Sequence, residues 1–165
     1  MARAANVALV ALTELLRGRS GVVQQMAAIR AAEGIDAQNL PDPVVQALHA
    51  AVETEDRATG AKYPQILVHC HRMRNLLTEK FRKFSGVVDM AVEIRVSHDR
   101  LNLLERQSRL YLDAVTAMLE DCRGEWGECV FQSGRYDVEF GAAKKGGRHF
   151  TQTTRVNVPV EVSLG

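Results

Sequence analysis

The ten residues from Val88 to Ser97 constrain this chain more than any other stretch. Val88, Met90, Val92, Ile94 and Val96 alternate with Asp89, Ala91, Glu93, Arg95 and Ser97. A period of two is the geometry of a strand, whose successive side chains point to opposite faces. One face is apolar and the other largely polar, so the strand is expected to be half buried. A half-buried strand needs neighbours and a layer over its apolar side.

The next segment offers that layer. Leu101, Leu104, Ser108, Tyr111, Leu112, Val115, Met118 and Leu119 recur at helical spacing. Glu105, Arg106, Arg109, Asp113, Thr116 and Glu120 fall largely opposite. The pattern predicts an amphipathic helix running to about Cys122. Asp99 is placed to cap its start, and Gly124 suits a left-handed position beyond its end. Three further strands are expected, one before this pair and two after it. Ile66 to His71 is read as one, with Pro64 tolerated at its start. Tyr136 to Phe140 and Thr153 to Ser163 alternate again, with Lys144 to Gly147 as a turn. Pro159 marks the last of these as an edge strand or a bulge. Asn75 to Phe84 reads as a short helix or a loop closed by Ser85 and Gly86.

The front of the chain reads differently. Asn6–Arg17 and Val22–Glu33 show helical spacing, and Gly18 and Gly34 stop them. Val44, Leu48 and Val52 are spaced by four and predict a third helix after the Pro41-Asp42-Pro43 break. The polar run from Glu53 to Gly60 reads as a linker or exposed loop. The fold class expected is therefore α+β: a small antiparallel or mixed sheet, one long helix packed across it, and helices in front. The expected division is a helical extension over 1–60 and an α+β domain over 61–165, in one compact body. At 165 residues the chain is long enough for a substantial core without disulfides or metal.

Composition excludes several function classes. With 46% hydrophobic and 25% charged residues, the chain is not mainly disordered or collagen-like. A net charge of +1 indicates neither a broadly nucleic-acid-binding surface nor an acidic mimic. Cys70, Cys122 and Cys129 are odd in number and lack paired spacing, so free thiols in a reducing compartment are expected. The apolar stretch from Ala4 to Leu12 is too short to span a bilayer, and no cleavage pattern follows it. No membrane partner is expected, and the protein is expected to remain where it is made.

Chemical motifs are sparse. Gly141 to Gly147 is glycine-rich with a lysine pair, but it precedes no helix and lacks the Lys-Ser/Thr step of a phosphate loop. His69 and His71 share a strand face and a zinc-gripping spacing, with His98, Cys122 or Cys129 as a third ligand. The plainer reading is two solvated or paired histidines around a small buried cysteine. No metal, cofactor or catalytic residue is assigned. Asp89 and Glu93 share a face but stand about 13 Å apart along a strand, too far to hold one ion.

The charge is locally uneven: eight basic and four acidic side chains fall between 61 and 100. Arg72, Arg74, Lys80, Arg82 and Lys83, interleaved with Phe81 and Phe84, fit a phosphate backbone or an acidic partner. They fit equally a solvated loop anchored by its phenylalanines. Trp126 follows the long helix and is read as a cap on the core edge or an interface anchor.

Several short motifs carry a resemblance across the last hundred residues or so. They are Tyr63-Pro-Gln-Ile66, Phe84-Ser-Gly86, Val92-Glu-Ile-Arg-Val-Ser-His-Asp-Arg100, Tyr111-Leu-Asp-Ala-Val115, Arg123-Gly-Glu-Trp126 and Tyr136-Asp-Val-Glu-Phe-Gly141, with the valine-rich final strand. In order and pattern this part resembles the tail-terminator, or tail-completion, proteins of long-tailed bacteriophages. The resemblance implies a sheet flanked by helices in a hexameric ring. Such a ring sits on the head-proximal end of the tail tube, stops its growth and docks to the head–tail connector. It implies a virion protein, assembled in the host cytoplasm, whose lumen passes DNA without sequence-specific contact. Arg72, Arg74, Arg82, Lys83, Trp126, Lys144 and Lys145 are the interface or lumen candidates. Two alternatives remain from sequence: a head-closure or adaptor ring of the phage neck, and a small metal-dependent enzyme using His69, His71 and a cysteine.

Overall fold

The computed structural model describes residues 2–49 and 62–165. The linker expected at 53–60 lies outside them. Helices α1 (Ala2–Arg17) and α2 (Val22–Glu33) come first, then strands β1 (Val44–Ala47), β2 (Gln65–Asn75) and β3 (Phe84–His98). Helix α3 (Leu101–Asp121) follows, then β4 (Gly124–Glu125), β5 (Val130–Gln132), β6 (Asp137–Phe140), β7 (Lys144–Gly146) and β8 (His149–Leu164). The class is α+β, as the alternation and the amphipathic helix predict.

All eight strands join one mixed sheet. β3 lies between β2 and β8, antiparallel to both, and β1 adds to β2 in parallel. β8 is the longest strand. β3 lines one side of it from end to end, while β5, β6 and β7 dock in turn along its other side.

Alternation along β3 and β8 makes the core. Val88, Met90, Val92, Ile94 and Val96 face the helices together with Val156, Val158, Val160 and Val162. Above them, α1 contributes Leu9, Leu12 and Leu16, and α3 contributes Leu104, Tyr111, Val115 and Met118. Leu110 and Ala114 of α3 are also buried, while Leu101 at the helix start is exposed. Thirty buried apolar side chains in one cluster suit a chain of this size. The last turn of α2 ends at Gly34 with φ +65°, where a side chain would be strained, and the next N–H, from Ile35, reaches the Arg30 carbonyl.

Four expectations from sequence are corrected. Val44–Ala47 is a strand, not the start of a third helix: the N–H groups of Val44 and of Leu48, just beyond it, donate to the Pro64 and Val68 carbonyls, which outweighs the four-residue spacing. Of the two readings for Asn75 to Phe84 the loop holds, over 76–83, but Ser85 and Gly86 do not close it: β3 begins at Phe84 and both lie within that strand. Asp99 does not cap α3: Arg100 is the N-cap and makes no side-chain cap bond, while its N–H goes to His98 Nδ1 at 3.0 Å.

The fourth correction concerns Pro159. β8 is a central strand, not an edge. Ser163 N–H bonds to Cys129 before β5, and Thr153 accepts from Gly141 after β6. Alternation then directs the nitrogen of residue 159 to that same side, where β5 has ended and β6 has not begun. The missing donor falls in a gap where no strand needs it.

Candidate functional site

The helices cover one face of the sheet. The other carries the charge predicted from the alternation, and its partners become visible only in the register. Glu93 and Arg95 are two apart on β3 and share that face. The guanidinium donates to the Glu93 carboxylate at 2.7 Å, with both side chains less than 15% exposed. Arg155 of β8 pairs across from Glu93 and donates through Nε to Asn157 Oδ1 at 2.9 Å. His69 of β2 faces the same way opposite Ala91 and is 2% exposed. Burial lowers the affinity of its imidazole for a proton. Arg155, His71 and Arg95 push in the same direction and Glu93 opposes them.

His69 and His71 do not act as a pair. The β2–β3 register shifts between Cys70 and Arg72, so the chain bulges at His71. His69 is buried and His71 exposed. Among the described residues, no three histidine, cysteine or carboxylate side chains converge. Burial pushes the Cys70 and Cys122 thiols up, away from the reactive thiolate form.

The basic candidates do not form one patch. Arg72 and Arg74 lie on the exposed second half of β2, and Arg74 reaches Asp89 at 3.4 Å. Arg82 and Lys83 are exposed in the 76–83 loop, beside the Leu164 end of the β3–β8 ladder. Arg82 pairs with Glu79 at 3.3 Å. Lys144 and Lys145 are exposed on β7, at the opposite end of that ladder, with the Lys145 ammonium 5.9 Å from the Phe150 ring centre. Of the two phenylalanines in the basic stretch, Phe84 anchors in the core and Phe81 stands fully in solvent at φ +69°. Trp126 is buried in the core cluster and donates to the Cys122 carbonyl at 2.6 Å.

The sheet has edges that sequence alone does not reveal. At one side, β1 covers β2 only from Gln65 to Val68. Arg17 donates through Nε and Nη2 to the outward Val45 carbonyl, at 3.1 and 2.8 Å, and so closes the edge of β1. The rest of β2, through Asn75, has no described strand beyond it. At the other side, β6 pairs only with β8 among the described residues. A cleft of about 370 Å³ opens between the 76–83 loop and β5, with Glu79, Glu125, Glu128 and Glu161 on its walls.

No family model matches the chain, and neither does any curated protein. Among solved structures, it is similar to a chain from the virion of a native gene transfer agent particle. The TM-score is 0.43 and the identity 14%, over 86% of this chain and 91% of that one.

Proposed function

We propose that this protein is a virion structural subunit of a long-tailed phage or phage-like particle, and that it caps the head-proximal end of the tail tube. In this reading it assembles as a hexameric ring. The ring ends tube polymerisation, presents the docking surface for the head–tail connector, and passes DNA through its lumen without reading sequence. It acts without a catalytic group, a metal or a cofactor.

One observation carries the reading. The motifs that resemble tail terminators occupy the elements that build the sheet and its cover. Val92 to Arg100 takes in the charged second half of β3 and the turn into α3, Tyr111 to Val115 lies mid-α3 with Tyr111, Ala114 and Val115 buried, and Tyr136 to Gly141 spans β6. They therefore build a layered surface with charge on one face. That suits a subunit whose work is contact.

The test is deletion of the gene from its parent particle, followed by negative-stain electron microscopy of the lysate. Overlong tails unattached to filled heads are expected. Free tails of normal length beside heads that leak DNA would move the protein to the head side of the neck, and unaltered virions would overturn the reading.

A further inference from the structure

We propose that copies of this chain join head to tail by adding β6 of one copy to the half of β2 of the next that no described strand covers. The inference rests on the ring reading above and deepens it, since it names the surface through which the ring closes.

Three independent features of the two edges agree. The first is strand direction. β2 and β8 run one way, β3 and β6 the other. A copy related by rotation about an axis along the strands therefore brings its β2 antiparallel to β6 of its neighbour. Such a contact uses two different edges, so it repeats around a closed ring.

The second is the supply of main-chain bonds. Leu76 N–H bonds to Ser85, and alternation assigns Arg74 and Arg72 to bonds with β3 and turns Met73 outward. Gly141 N–H bonds to Thr153, which assigns Glu139 and Asp137 to β8 and turns Val138 outward. Placing Val138 opposite Met73 matches an outward pair with an outward pair.

The third is side-chain chemistry in that same register. Asp137 falls opposite Arg74, and Glu139 opposite Arg72, as pairs without main-chain bonds between them, where side chains come closest. All four lie on the charged face of the sheet and all four are exposed. Among the described residues, Asp137 and Glu139 make no ion pair within their own copy. Val138 and Met73 lie together on the helix-covered face, where each already packs at the rim of the core. Sliding the register by two residues keeps only one of the two opposite-charge pairs.

The experiment uses the full chain and two charge-reversed variants, Arg72→Glu/Arg74→Glu and Asp137→Lys/Glu139→Lys, followed by sedimentation velocity. The wild type is expected to form a closed oligomer. Each variant alone should sediment as a monomer, and an equimolar mixture should recover the oligomer, because each altered edge then meets the complementary altered edge. In parallel, the Arg74→Cys/Asp137→Cys variant should give a ladder of disulfide-linked copies, since such a pair has Cα atoms about 4.5 Å apart. Either single cysteine should give none. The ladder also decides the matter if a reversed variant fails to fold. A monomeric wild type, reversed variants that assemble like the wild type, or an absent ladder would each overturn the pairing. Overlong tails in the deletion lysate together with any of those results would leave the terminator reading standing and remove only this interface.

Discussion

The Tyr111 hydroxyl donates to the carbonyl of Pro41 at 2.7 Å, joining the buried middle of α3 to the segment that leads into β1. Arg30 holds the same segment from the other side, through the Leu40 carbonyl at 3.0 Å and Asp42 at 2.9 Å. Burial drives the Tyr111 phenol far above its ordinary range, so it remains a donor at any working pH. Tyr111→Phe keeps the ring and removes the bond, leaving a carbonyl unsatisfied. The expected loss is about 1–2 kcal/mol, read from the midpoint of urea unfolding.

The face of α3 that matters is centred on Val115 and Met118, both fully buried, while Leu112 sits half-buried at its flank. Met118→Ala should cost about 2–5 kcal/mol, because the sheet beneath cannot collapse to fill the space. Leu112→Ala should cost clearly less. Equal losses in thermal melts would mean that the helix is rotated from the position described.

Gly86 lies where β3 passes the end of β2. A Cβ there would stand 2.0 Å from the Arg74 carbonyl oxygen and 2.9 Å from the Leu76 nitrogen. Both are main chain and neither can turn aside. Gly86→Ala should destabilise by about 3 kcal/mol, at the upper end for overpacking, and should loosen the 76–83 loop. Amide exchange at Leu76 should accelerate in the variant.

His69 makes stability depend on pH. Its imidazole resists protonation in the folded chain, whereas the unfolded chain takes up a proton near 6.5. Above that value both states are neutral there and the residue contributes nothing. Below it the unfolded state binds more protons, so stability falls as pH drops from about 6.5. His69→Asn should flatten that fall. Urea midpoints at pH 7.5, 6.5 and 5.5, taken as differences between variant and wild type, isolate this residue from the other histidines.

Most elements were legible because their patterns are local. The alternation at Val88–Ser97 and the stripe from Leu104 to Leu119 each report one face of one element. β1 is hidden from sequence because four residues hold barely one turn of evidence, and Val44 and Leu48 satisfy a helix as well as a strand. Its state is decided by β2, some twenty residues away. Pro159 was misread for the same reason: its meaning depends on where β5 ends and β6 begins. The charged face could be read from Glu93 and Arg95, but Arg155 joins them only through a register spanning about sixty residues. The edges at Arg72–Asn75 and Asp137–Phe140, which no described strand covers, have no local signature, because an edge is a property of topology.

The position of β8 also bears on the order in which the molecule can be made. Among the described residues, β3 gains its second neighbour only from β8, and β5, β6 and β7 have no other docking site except the small β4–β5 pair. A ribosome delivers α1, α2, β2, β3 and α3 long before β8. Until then the apolar side of β3 lacks the valines that flank it, β5 has only the two-residue β4 beside it, and β6 and β7 lack a described strand to bond to. Folding must therefore wait for the last part of the sheet to emerge, as expected where contacts of long sequence separation dominate. A nascent chain stalled before Thr151 would hold a half-sheet with a live edge along all of β3. Emergence of β8, rather than any earlier step, is what first makes this fold safe to release among its own copies.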